Sequence, residues 1–263
     1  VNPAGSNRLT IVAIAVTAYA LTDLVHEVIG HGVAALLVPG VWVVSLSSVA
    51  LQTTSDSRIV AAAGSIANLL VGAGALALFH RRSGFAAADY FWWLFGSLNL
   101  MNGAGYPLYS AVLGSGDWEV VVRGLQPVSI WRVGLGLIGT VAYLAAVWIA
   151  AAELARSVER DLAARTEITR LVFPAYLAGG TLLLVAAALN PIGPSLILLS
   201  GLSSGFAAMA GLTLVPRLVE QRTADVGAGI GVVQHRPAWI VAGLVVGVSF
   251  IAVFGPGIQF RVH

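Results

Sequence analysis

Residues Leu9 to Val38 read LTIVAIAVTAYALTDLVHEVIGHGVAALLV, an apolar run broken only near its end by Asp23, His26, Glu27 and His31. A helix needs roughly 20 apolar residues to cross a hydrocarbon core about 30 Å thick. This run exceeds that, so it is expected to tilt, or to break near the Gly30 and Gly32 pair. Working outward, six further apolar spans are expected near Ile59 to Phe79, Ala88 to Leu113, Ile130 to Leu154, Leu171 to Leu189, Pro194 to Val215 and Ala238 to Gly255. The fold class that follows is an all-α, polytopic transmembrane helix bundle of about seven spans.

Composition agrees. Hydrophobic residues make up 58% of the 263 and charged residues 10%, with a mean hydropathy of +0.88. A water-soluble domain of this size would need far more charge to cover its surface, so the bilayer acts as the solvent. Cysteine is absent, which excludes a thiolate metal site and a cysteine nucleophile. Any metal ligands must be His, Asp or Glu. The net charge of +2 is spread over span ends, without a nucleic-acid footprint. Val1 to Asn7 lacks a charged leader and cleavage site, so the first apolar run is expected to be retained.

Between the first two spans, Val41 to Thr54 is rich in β-branched and small polar residues and is expected to hold a short β segment. Ser157 to Thr169, with Glu159, Arg160, Asp161, Arg165 and Glu167, reads as a solvated helical connection. Asn190 to Pro194 reads as a tight connection. His80 and His235 stand at span ends, Trp92, Trp93, Trp118, Trp131 and Trp239 suit an interfacial belt, and Gly64, Gly72, Gly134, Gly136 and Gly211 suit close helix packing. The basic side chains are all Arg. Seven spans put Arg8, Arg81, Arg82, Arg156, Arg160, Arg165, Arg170, Arg217, Arg222 and Arg236 on one side, and Arg58, Arg123, Arg132 and Arg261 on the other. Arg accumulates on the cytoplasmic side, so the N-terminus is expected there, in a bacterial-type plasma membrane.

The chemistry lies in His26-Glu27-Val28-Ile29-Gly30-His31, an H-E-x-x-x-H pattern. A charge at mid-bilayer costs roughly 2.5 to 3.5 kcal/mol even on insertion scales. Asp23, His26, Glu27 and His31 within nine residues therefore point to a metal site, with an ion or proton relay as the rival. In a regular α-helix, residues five apart stand about 140° apart around the axis, so both histidines cannot chelate from a straight helix. A π-bulge near Gly30 would bring the two imidazoles to one face. Alternatively, Glu27 and His31, four apart, form the chelating pair, with Asp23 one turn earlier. The bulge is preferred.

These residues resemble the site-2 protease family of intramembrane zinc metalloproteases, which carries H-E-x-x-H on a membrane helix. The extra residue between the histidines is a departure. Ala63-Gly64-Ser65-Ile66-Ala67-Asn68 is similar to the family's small-residue and Asn pattern. Asn99, Asn102 and Pro107 before Gly116-Asp117 loosely resemble its Asn/Pro segment and later Asp ligand. The resemblance covers roughly Leu9 to Trp118 and implies zinc held by His26, His31 and Asp117, with Glu27 as catalytic general base. It divides the single membrane domain, 1–263, into a metal-site half, about 9–118, and further spans, about 130–255. The first and third spans run in the same direction, so His26, His31 and Asp117 can meet. The arginine count places that end outside, whereas the family commonly has its site toward the cytoplasm.

The function implied is a zinc-dependent intramembrane peptidase acting on membrane-protein substrates, with the lipid bilayer as surroundings and no nucleic-acid partner. Two alternatives use the same residues. One is a metal-dependent lipid amidase or esterase, and the other an ion or proton transporter. Substrate identity and oligomeric state are not specified by any residue.

Overall fold

The computed structural model describes residues 5–82, 84–157, 164–191, 193, 197–223 and 232–261. The charged residues 158–163 and the Ile192 and Pro194 positions of the tight connection lie outside this set.

Helix α1 (Arg8–Leu24) starts where the Asn7 side chain accepts from the Thr10 amide, meeting one of the four amides that a helix start leaves unpaired. It runs on through a π-helical segment, Val25–Gly32, into α2 (Val33–Leu37), so that Arg8–Leu37 forms one continuous 30-residue span. The chain then folds into a hairpin of β1 (Val43–Leu46) and β2 (Leu51–Thr53), as expected for the stretch from Val41 to Thr54. Ser47 caps the turn, its hydroxyl donating to the Ala50 carbonyl and accepting from the Val49 amide.

Next come α3 (Arg58–His80), α4 (Ala87–Leu113), the short α5 (Asp117–Val122), α6 (Val128–Ser157) and α7 (Ala164–Ala188). A second π segment (Ile197–Ala207) leads through a 3-10 turn (Ala210–Leu214) into α8 (Val215–Thr223). Helix α9 (Pro237–Phe254) is followed by β3 (Ile258–Gln259), which pairs antiparallel with β1 to give the sheet order β2-β1-β3.

Among the described residues, six helical runs are long and apolar enough to cross a membrane: Arg8–Leu37, Arg58–His80, Val128–Ser157, Thr166–Ala188, Ser200–Arg222 and Pro237–Phe254. Their outer faces expose Ile130, Val133, Leu137, Ile138, Val141 and Leu144 on α6, and Val241, Leu244, Val245 and Val248 on α9. Apolar surface on that scale needs a nonaqueous neighbour. The chain is a membrane helix bundle.

Helix α4 fills the place of the expected third span and is long enough to cross, yet its composition differs from that of the six. Of its 27 residues, 18 are buried, among them Ser97, Asn99, Asn102 and Ser110. It packs against α1, α3 and α6, so its surroundings are protein and it can carry polar groups that lipid would penalise. The tryptophan expectation needs a correction for the same reason. Trp93 is fully buried in this core and donates its indole N–H to the Ala150 carbonyl rather than sitting at an interface. Of the glycines, Gly64, Gly72 and Gly211 stand at close crossings, whereas nothing lies within 4 Å of where a side chain on Gly134 would begin.

Hydrogen bonds across the bundle fix which ends lie together. Ser6 donates from its amide to Glu167, and Asn7 to the Val233 carbonyl, which places the starts of α1, α7 and α9 at one end. Ser48 bonds Phe254, and the Ser200 hydroxyl bonds the Val49 carbonyl, at the sheet end. The C-terminal ends of α2 and α4 share that second end, as the site requires.

Candidate metal centre

The π segment is what makes the lengthened spacing workable. With i→i+5 bonding, a residue five positions on returns to the same face, and here His26 Nε2 and His31 Nε2 stand 3.1 Å apart. Gly30 lies inside this segment at its closest crossing with α3. A Cβ there would fall 2.4 Å from the Gly64 Cα and 2.8 Å from the Ala63 carbonyl oxygen. Gly64 in turn leaves the room the imidazoles occupy, since a Cβ on it would lie 2.6 Å from His31 Nε2 and 2.7 Å from His26 Cε1.

Asp117 reaches the pair from the other side. Gly114 ends α4 in the left-handed region (φ 64°), and Gly116 (φ 85°) turns the chain again into α5, a conformation that favours glycine. The Trp118 indole donates to the Ser65 hydroxyl at 3.0 Å, and Arg123 pairs with Asp56 and Glu119, so α5 is pinned along α3. Asp117 Oδ2 is thereby held 3.0 Å from His26 Nε2 and 3.3 Å from His31 Nε2.

The tautomers follow from the surrounding bonds. Asn68 donates both amide hydrogens, to the Thr22 carbonyl and to Asn99 Oδ1, so its Oδ1 must face His26. Asn99 is fixed by donating to Thr22 Oγ1 and the Phe95 carbonyl. His26 Nδ1 therefore donates to Asn68 Oδ1 at 2.7 Å, and His31 Nδ1 donates to the Val60 carbonyl at 2.7 Å. With both imidazoles neutral, each Nε2 is a lone pair, aimed at the other and at a carboxylate oxygen. Such a convergence of acceptors is resolved by a cation, or by a proton on one imidazole.

Size fits as well. Two metal–nitrogen bonds of about 2.0 to 2.1 Å at a tetrahedral angle separate their nitrogens by roughly 3.3 Å, close to the observed 3.0 to 3.3 Å. Outer partners on each Nδ1 are the usual companions of metal-bound imidazole. The structure thus brings His26, His31 and Asp117 together. Glu27 is buried beside them, with Oε2 lacking a hydrogen-bond partner among the described residues. Its carboxylate could also join the histidines, since ligand atoms of His26, Glu27 and His31 lie within 4.8 Å of one another. Asp23 is buried one turn earlier on the same span and does not join that group.

Glu27, His31 and Asp117 open onto a cavity of about 640 Å³, walled by β2 and the hairpin turn, by α4 residues such as Tyr106, Leu108 and Val112, and by Ser200, Ser203 and Ser204 of the second π segment. Sequence reasoning missed the Tyr106 ring stacked on His26, with centroids 4.3 Å apart and planes 20° from parallel. It also missed the roles of Asn68, Val60 and Gly64. Asn68, a polar residue in an apolar span, and Gly64, a small residue suited to close helix packing, gave signals, whereas Val60 gave none. Compared with protein-family models, with curated proteins and with solved structures, the chain matches none of them.

Proposed function

We propose that this chain is a zinc-dependent intramembrane peptidase, similar to the site-2 proteases, that hydrolyses peptide bonds of membrane-protein substrates. The observation that carries this reading is the convergence of His26 Nε2, His31 Nε2 and Asp117 Oδ2 beside the buried Glu27 carboxylate, at the wall of a large cavity. The donor set of two imidazoles and a carboxylate, with no thiolate, suits zinc. When bound there, zinc supplies Lewis acidity that polarises a carbonyl and acidifies water.

The chain's own residues do the rest. Asn68 and the Val60 carbonyl hold both imidazoles with Nε2 free. Glu27 takes a proton from the attacking water and returns it to the leaving amine nitrogen as the C–N bond breaks. Its Oε2, without a hydrogen-bond partner among the described residues, is available for that proton. Strand β2 stands at the edge of the sheet and lines the cavity through Leu51 and Thr53. An extended substrate segment could pair there, exposing a peptide bond that a helix would hide. By the arginine asymmetry we place the N-terminus in the cytoplasm of a bacterial-type cell, with the site toward the outer face.

A second reading draws on the apolar wall of the same cavity, where Leu108, Val112, Leu113 and Ala207 would suit an acyl chain. In it the centre cleaves a lipid amide or ester. Purified protein in detergent or lipid, assayed on membrane-embedded protein substrates and on lipid amides and esters, separates the two. Peptide cleavage that Glu27→Gln abolishes while zinc is retained supports the peptidase. Lipid cleavage alone assigns the esterase or amidase. If zinc-free protein moves ions or protons across vesicles and nothing is hydrolysed, the cluster is a relay.

A further inference from the structure

Beside the candidate metal centre lies a second, small void of about 10 Å³, lined by Tyr19, Thr22 and Asp23 of α1, Asn102 of α4, Leu183 of α7, Ser204 and Met209. That is roughly the volume of one water-sized probe. Three polar atoms of its lining residues, Tyr19 Oη, Asp23 Oδ2 and Asn102 Oδ1, are buried and have no hydrogen-bond partner among the described residues. Buried polar groups are nearly always paired, because an unmet one carries its full desolvation cost. Three such atoms on residues that line one small void point to a common guest.

The donor count identifies it. Asn102 Oδ1 can only accept, the Tyr19 hydroxyl has a hydrogen to give, and Asp23 Oδ2 accepts when ionised and donates when protonated. Water, with two hydrogens and two lone pairs, meets all three in either state of Asp23. A cation could not accept the tyrosine hydrogen, and an apolar guest would meet none.

We propose that this void binds a single water molecule, held by Tyr19, Asp23 and Asn102, and that Tyr19 and Asp23 act through it as positioning residues for His26. Asn102 and Ser204 wall both cavities, and of the two it is Asn102 that reaches the histidine side. Its Nδ2 donates to Asn68 Oδ1 at 3.3 Å, the same oxygen that accepts from His26 Nδ1 at 2.7 Å. The water's hydrogen on Asn102 Oδ1 keeps that amide from flipping. A flip would set two amide oxygens against each other and loosen the hold of Asn68 on the imidazole. The link to His26 rests on the metal reading, whereas the water site stands on the void and its three polar atoms.

The test combines a structure at a resolution that shows ordered waters, zinc affinity by chelator competition, and the His26 imidazole 15N resonances in zinc-free protein. The expected result is one water peak in the void of the native protein, with or without zinc. His26 should be a single Nδ1–H tautomer in the native protein and in Asp23→Asn, which keeps an oxygen for the water. Tyr19→Phe and Asp23→Leu should give mixed tautomers and weaken zinc binding by roughly 10-fold or more. A dry void in the native protein overturns the proposal, and so do an unchanged tautomer and unchanged affinity in both altered proteins. Should either variant fail to fold, the native structure alone decides the water. Native protein that holds the water yet binds no zinc refutes the metal reading and leaves the water site standing.

Discussion

Substituting Gly64 by alanine places a methyl group where the structure has two imidazoles. The new carbon would stand 2.6 Å from His31 Nε2 and 2.7 Å from His26 Cε1, with His31 Cε1 also at 2.7 Å. Nonbonded carbon contacts settle near 3.5 to 4.0 Å, so both rings, or the backbones of α3 and the π segment, must move by about 1 Å. The backbones have little room, because Gly30 already meets Gly64 at the helix crossing. Metal sites tolerate ligand displacements of only about 0.2 Å. Gly64→Ala is therefore expected to raise the zinc dissociation constant by about 100-fold or more, with an overpacking cost of about 1 to 3 kcal/mol.

Gly74 in the same helix supplies the control. It is exposed, and a Cβ there meets nothing within 4 Å, so Gly74→Ala should bind zinc normally and gain up to about 1 kcal/mol from helix propensity. Both variants would be titrated with zinc against a chelator and melted in the same detergent. Equal zinc affinity in the two would refute the placement of the imidazoles against the bare backbone of α3.

Other substitutions probe the neighbouring parts. Glu27→Gln should keep zinc at the native ratio while turnover falls roughly 100-fold or more, and loss of zinc from this variant would recast Glu27 as a ligand. Asn68→Ala removes the acceptor that fixes the His26 tautomer, so zinc affinity should drop by about 10- to 100-fold, read in the same chelator competition. Trp93→Phe leaves the centre untouched but deletes a buried bond to the Ala150 carbonyl. It should lower stability by about 1 kcal/mol without changing zinc content.

Much of this arrangement was legible in the residues because the bilayer makes each polar side chain conspicuous. His26, Glu27 and His31 stood out against an apolar run, and of the two arrangements their spacing allowed, a π-bulge or a straight helix pairing Glu27 with His31, the structure contains the π turn. The strand-forming composition from Val41 to Thr54 likewise became a hairpin. Asp117 was a weaker signal, a loop aspartate whose approach to the histidines depends on two left-handed glycines and on the Trp118 and Arg123 anchors of α5.

What sequence could not show were contacts made by side chains without chemistry of their own. Gly64 matters through the atoms it lacks, and Val60 through its backbone carbonyl. Neither leaves a mark on hydropathy. Trp93 was misplaced for a related reason: a helix surrounded by other helices obeys protein packing, while the interfacial rules apply to helices that meet lipid.

The central claim is that His26, His31 and Asp117 hold a metal ion. Elemental analysis of the protein purified without added metal tests it most directly, alongside His26→Ala, His31→Ala and Asp117→Ala variants shown to be folded. About one zinc per native chain, lost in the two histidine variants and reduced in the aspartate variant, is the expected result. Native protein that carries no transition metal, and takes up none when zinc is supplied, would contradict the account.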